Sequence, residues 1–119
     1  MDVKTTLETA QDTVLNKRDQ QYGVNSRVTM HERIARVWSA ILGTEVTGLQ
    51  VALCMAGMKL IRAENAPDVE DSFVDACGYA AIAAEIAGLQ ATTEVSTIET
   101  VNLQAMTEVS TIETLRYGG

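Results

Sequence analysis

"TGLQVALCMAGMKLIRAENAPDVEDSFVDACGYAAIAAEIAG", residues 47–88, decides the fold. Its first half, Leu49–Ala63, is apolar nearly all round, with Lys59 and Arg62 as its charges before Glu64. Apolar residues over the whole circumference predict a central helix, contacted on several sides. Thr47-Gly48-Leu49-Gln50 has the form of a capping box at its start: the hydroxyl accepts from a free backbone N–H and Gln50 reaches back. The stretch 64–68 breaks the helix at Pro67, the chain's single proline, which cannot donate to a helical ladder. Asp68 is the predicted cap of the next helix, and Glu70 and Asp71 fall in its first turns, where the helix dipole favours acids. Gly78 with Ala80, Ala81, Ala83 and Ala84 makes this helix thin enough for close approach by a neighbour, and Gly88 is its predicted stop. Two long apolar helices joined by a short turn form an antiparallel pair.

Two further helices are predicted upstream. Leu7, Ala10, Val14 and Leu15 recur at helical spacing within residues 4–17. A polar loop holding Gly23 follows. Thr29-Met30-His31-Glu32 reads as a second capping box, with Ile34, Val37, Trp38 and Ile41 along one side and Gly43 as a left-handed end. Residues 1–88 are therefore expected to form an all-α bundle of four helices. Residues 89–119 are a separate extension: Leu89–Asn102 and Leu103–Arg116 are one 14-residue unit written twice, identical at 11 of 14 positions. Its Thr, Val and Ile favour strands, but Val95 and Ile98 are at helical spacing, so strand and helix both stay open.

Bulk properties narrow the function. The chain has 119 residues, 46% of them apolar but few aromatic, so the core must be aliphatic. Net charge is −7, and the nine Lys and Arg residues are scattered. Phosphate neutralisation by a concentrated basic patch dominates nucleic-acid affinity, so direct nucleic-acid binding is not expected. A small nucleotide can still be held through a metal ion. Cys54 and Cys77 sit in apolar surroundings and are expected to be buried, reduced thiols. The N-terminal residues lack a signal-peptide pattern, and no stretch is expected to carry the roughly 20 apolar residues of a membrane span. The expectation is a cytoplasmic protein with no membrane partner.

Candidate site residues cluster around the antiparallel pair. Asp71 and Asp75 are four apart and share a face that Tyr79 continues. Like charges so placed repel, and a bound Mg²⁺ would turn repulsion into coordination. Asp71 is equally explained as an acid at a helix start; Asp75 lies beyond the dipole's strong reach. Glu32 is a third carboxylate, or simply the acid of a capping box. His31, the single histidine, reads first as solvent-facing or hydrogen-bonded near a helix start. Lys59 and Arg62 share a face of a greasy helix, so they must pair or snorkel. They either pair with Asp71 and Asp75 across the turn or hold a phosphate, Arg in a fork and Lys as a point charge.

Tyr22-Gly23, then His31-Glu32-x-Ile34-Ala35-x-x-Trp38, Lys59-x-x-Arg62 and Asp71-Ser72-x-x-Asp75-x-x-Gly78-Tyr79 resemble, in order, the pattern of a family of small, uncharacterised phage and prophage proteins. The resemblance spans residues 22–85. That family is in turn distantly similar to the all-α nucleoside triphosphate pyrophosphohydrolases of the MazG type, helical oligomers that hold Mg²⁺ with Glu-x-x-Glu and Glu-x-x-Asp. The resemblance implies a MazG-like bundle, a homo-oligomer and a nucleotide ligand in the host cytoplasm. It implies Asp75, Asp71 and Glu32 as catalytic metal ligands, with Lys59, Arg62, His31 and Tyr79 at the nucleotide. The carry-over is incomplete: Ala35 stands where the first motif has its second acid, and Ser72 stands three before Asp75. Three readings follow. The chain is a Mg-dependent pyrophosphohydrolase, a non-catalytic oligomer that sequesters a nucleotide such as a host defence signal, or an assembly protein joined through its repeated tail.

Overall fold

The computed structural model describes residues 1–18, 20, 23 and 26–117, and the side chains of these except at 94–96 and 108–117. Among the described residues the protein is all-α. Helix α1 (Val3–Asp12) runs into a π-helical turn (Thr13–Lys17); α2 (Ser26–Leu42), α3 (Gly48–Asn65) and α4 (Glu70–Tyr117) follow, with no strand. The chain divides into two compact units, Met1–Ala87 and Gly88–Gly119.

Local chemistry sets the helix ends. The Asp2 carboxylate accepts from the Thr5 N–H (2.8 Å) and caps α1; that bond holds the Asp2 carboxyl below its ordinary range. The box at Thr47 forms in full: the Thr47 hydroxyl accepts from Gln50 N–H (3.1 Å) and the Gln50 side chain accepts from Thr47 N–H (3.0 Å). Gly43 closes α2 with φ +68°, its N–H donating to the Ser39 carbonyl. The Ser39 hydroxyl accepts from Val46 N–H (2.8 Å) and donates to the Ala35 carbonyl (2.7 Å), tying the α2–α3 connection back to α2.

The core of the first unit is small and alanine-rich. Ala52 of α3 meets Ile82, Ala83 and Ile86 of α4, and Val14, Val28, Leu49 and Tyr79 pack around them. Val51 is fully buried. The thin face of α4 is used as its composition suggests: a Cβ on Gly78 would lie 3.1 Å from Val14 Cγ2, so the π-helical turn seats directly on that glycine.

Several expectations are corrected. Helix α2 begins at Ser26, so Thr29 lies inside it and the box with Glu32 does not exist. Helix α4 begins at Glu70, two residues beyond Asp68. Helix α3 is not covered on all sides: Val51, Ala52 and Ala63 are buried, but Leu53, Met58, Leu60 and Ile61 are exposed, as are Val37 and Ile41 of α2. Within the first unit, the described residues of the other helices leave these α3 side chains exposed. Cys54 is exposed and Cys77 half-buried, both as free thiols.

The repeats are helical rather than strand-like, and Gly88 does not stop α4. A glycine in a helix interior costs about 1 kcal/mol, too little to end a long helix by itself. In the second unit the threonines adapt to the helix by back-bonding: Thr93 Oγ1 donates to the Leu89 carbonyl, Thr97 to Thr93 and Thr107 to Leu103. Leu89, Ile98, Val101, Leu103 and Met106 are exposed there. The expectation that no stretch is apolar enough to span a membrane is also corrected: by length and composition, part of α4 (Glu70–Thr107) is long and apolar enough to cross one. Within it, Val74, Ala76, Ile82, Ala83 and Ile86 are buried in the bundle core.

Candidate functional site

A cavity of about 350 Å³ opens within the first unit, where the π-helical turn faces α2 and α4. Val14, Met30, Ile34, Met55 and Ile82 supply apolar walls. Asp75, Tyr79, His31, Ser26, Arg18 and Arg27 supply the polar groups. Mostly apolar walls with a few polar groups, at this size, are typical of small-molecule sites. Three of the seven residues singled out in the sequence therefore meet here: Asp75, Tyr79 and His31.

His31 is not solvent-facing; it is 5% exposed. Its Nδ1 lies 2.6 Å from the Arg27 carbonyl one turn earlier, and since a carbonyl can only accept, Nδ1 must carry the proton. In the neutral ring this leaves Nε2 as a bare acceptor. That atom is buried and has no hydrogen-bond partner among the described residues. The ring meets Tyr79 edge-to-face at 6.0 Å between centroids, which fixes its plane.

Asp75 is positioned by an ion pair across the antiparallel helices: Lys59 Nζ lies 3.0 Å from its Oδ2, both side chains half-buried. This is the pairing across the turn, formed by Lys59 with Asp75. Arg62 is exposed one turn on. Asp71, one turn before Asp75, is exposed in the first turn of α4, the position where an acid complements the helix dipole. Glu32 is exposed, with its Cγ against Gly48. Among the described residues, no three His, Cys, Asp or Glu side chains form a group that could hold a metal ion. Among the described residues, the one carboxylate at the cavity, Asp75, is already paired with Lys59 and is by itself a poor hard-cation site.

Sequence reasoning passed over Arg27, Glu85 and Arg18. Arg27 holds Glu85 of α4 in a fork, Nε at 2.7 Å and Nη2 at 2.9 Å, with the Arg27 side chain 14% exposed. The Arg27 hydrogen bonds hold the Glu85 carboxyl below its ordinary range against the opposing effect of burial. This clamp ties the start of α2 to α4 beside the cavity. The signal was present: Glu85 is the one charged residue between Ala76 and Thr93, and a lone charge in an alanine-rich helix needs a partner. Tyr22 of the Tyr-Gly pair lies outside the described residues.

Residues 5–87, the helical unit that carries the cavity, match the family described as a domain of unknown function, DUF6378, and the chain belongs to that family. It is also similar to the Gene 55 protein of Mycobacterium phage L5, 36% identical over 77 residues. The match covers 64% of this chain and 48% of that relative, so the chain spans about half the length of the relative. No solved structure matches the chain. These findings support a phage-associated helical protein, consistent with the first step of the resemblance.

Proposed function

We propose that the chain is a phage nucleotide-binding protein whose cavity holds the ligand, acting as a binder in the host cytoplasm. The observation that carries this reading is the convergence of Asp75, His31 and Tyr79 on one apolar-walled cavity of about 350 Å³. That volume suits a base with part of its sugar. Arg18, exposed and also lining the cavity, is placed to meet a phosphate outside it. Isothermal titration of the full-length protein with nucleoside mono- and triphosphates, without metal, tests it. Saturable binding that is lost in Tyr79→Ala supports the proposal; absence of heat with every nucleotide at millimolar concentration refutes it.

A second reading, a Mg-dependent pyrophosphohydrolase, is favoured by the uncovered apolar side of α3. Leu53, Leu60 and Ile61 there offer a surface for a second copy of the chain, and Asp71 and Glu32 are exposed, open to such a copy. In this form the metal ligands that do not group among the described residues of one chain come from two chains. Pyrophosphate release from a nucleotide panel with Mg²⁺, abolished by Asp75→Ala, would support it. No turnover with any nucleotide refutes it and leaves the binder. The assembly reading is tested by deleting residues 89–119: an unchanged oligomer counts against it.

A further inference from the structure

Helix α3 carries an exposed stripe centred on Gly57. The positions three, four and seven residues either side of Gly57 share its face of the helix. All six are exposed: Leu53, Cys54, Leu60 and Ile61 near the middle, Gln50 and Glu64 at the ends. Gly57 is exposed as well, and a Cβ on it would meet nothing within 4 Å. A glycine in a helix interior weakens the helix relative to alanine. Gly78 makes room for Val14, but Gly57 makes room for no described residue of its own chain.

The residue types along the stripe are matched about Gly57. An apolar pair stands on each side, and a hydrogen-bonding group stands at each end. When a second copy of α3 is laid antiparallel with the two-fold axis at Gly57, Leu53 of one copy meets Ile61 of the other. Cys54 then meets Leu60, and Gln50 meets Glu64. The Gln50 side-chain oxygen already accepts from Thr47 N–H (3.0 Å), which leaves its NH2, a donor, for the Glu64 carboxylate, an acceptor. Seven-residue spacing of the stripe suits a shallow crossing, near +20°, that keeps such pairs together over about 21 Å of helix. A glycine on the axis lets the two backbones come close enough for the apolar pairs to touch. An apolar centre with polar ends is the anatomy of a protein interface, and self-matching is what a two-fold contact requires.

We infer that this face of α3 is the contact of a two-fold symmetric dimer, in which a second copy of the chain lies antiparallel with its Gly57 against the first. The inference goes beyond the nucleotide reading and does not rest on it. Met55, which lines the cavity, is about 200° round α3 from Gly57, so stripe and cavity use opposite sides of the helix.

Sedimentation equilibrium of the full-length protein, from micromolar to submillimolar concentration, tests it, with a dimer expected. Gly57→Glu should weaken that dimer at least about tenfold, because two carboxylates then face each other across the axis. Its far-ultraviolet circular dichroism should stay native-like, since the new side chain enters open space and Glu favours a helix over Gly. In a Cys54→Ser background, Gly57→Cys should form a symmetric disulfide under copper-catalysed air oxidation, and Met58→Cys, one residue off the stripe, should not. A native protein that stays monomeric throughout overturns the inference. So does an assembly that Gly57→Glu leaves intact, or cross-linking through Met58→Cys and not through Gly57→Cys. Should Gly57→Glu fail to fold, the native mass and the cross-link still decide.

Discussion

The ion pair between Lys59 and Asp75 gives the sharpest quantitative test of the site. Lys59 Nζ lies 3.0 Å from Asp75 Oδ2, and the two side chains are 16% and 28% exposed. At that separation an effective dielectric of about 20 gives an attraction of about 5 kcal/mol. Taking two charges partly out of water cancels most of it, so a net coupling of about 1–2 kcal/mol is expected. Lys59→Met alone should cost about 2 kcal/mol, because the Asp75 carboxylate stays half-buried without its counter-charge. Asp75→Asn alone should cost a similar amount, and the double variant clearly less than the sum of the two. Urea unfolding followed by far-ultraviolet circular dichroism, at neutral pH and low salt, measures all four corners of the cycle. Single-variant effects that simply add, within about 0.5 kcal/mol, would refute the claim that Asp75 is held by Lys59. Its place at the cavity would then need another cause.

Three further outcomes are expected. Glu85→Gln should cost about 1 kcal/mol at pH 7, since the pair is partly screened by water. Because the Glu85 carboxyl is held below its ordinary range in the fold, that contribution is full above the unfolded carboxylate range and is lost as pH falls through the folded value; thermal melts from pH 7 to pH 3 should show native and variant converging at the acid end. Two glycines with open space around them should respond with opposite sign: Gly43→Ala, at φ +68°, should destabilise by about 1 kcal/mol, whereas Gly88→Ala, inside α4, should raise helicity and stabilise by about 0.5–1 kcal/mol. Ile86→Ala, at a core position 4% exposed, should lower stability by about 2–4 kcal/mol, read from the urea midpoint at constant m-value.

The resemblance to phage proteins was carried by motifs that lie in the bundle, and the family match covers the same helices. The site was legible in part. Asp75 stood out because a charge two turns into an apolar helix demands an explanation, and the structure supplies one in Lys59. Of the two readings of His31, the hydrogen-bonded one holds, through the Arg27 carbonyl, while its burial, with Tyr79 far along the chain against its ring, is a matter of tertiary packing. The orphaned Nε2 depends on the same long-range packing, so no spacing rule could reveal it.

The sequence by itself determined the helical class, the Thr47 capping box, the left-handed end at Gly43 and the break around Pro67. Each is a local event, governed by one residue's dihedral preference or a hydrogen bond within a turn. Where local signals competed, the tertiary structure decided. Thr29 carries a good cap signature yet lies within α2, and Gly88 carries a good stop signature yet lies within α4. A cap or a lone glycine is worth only about 1 kcal/mol, less than the packing and the continued backbone bonds that extend a helix past it. Only the tertiary structure could place Arg27 against Glu85 and Lys59 against Asp75, because partners 58 and 16 residues apart are chosen by how the helices pack. The same packing left one face of α3 bare and closed the cavity around His31.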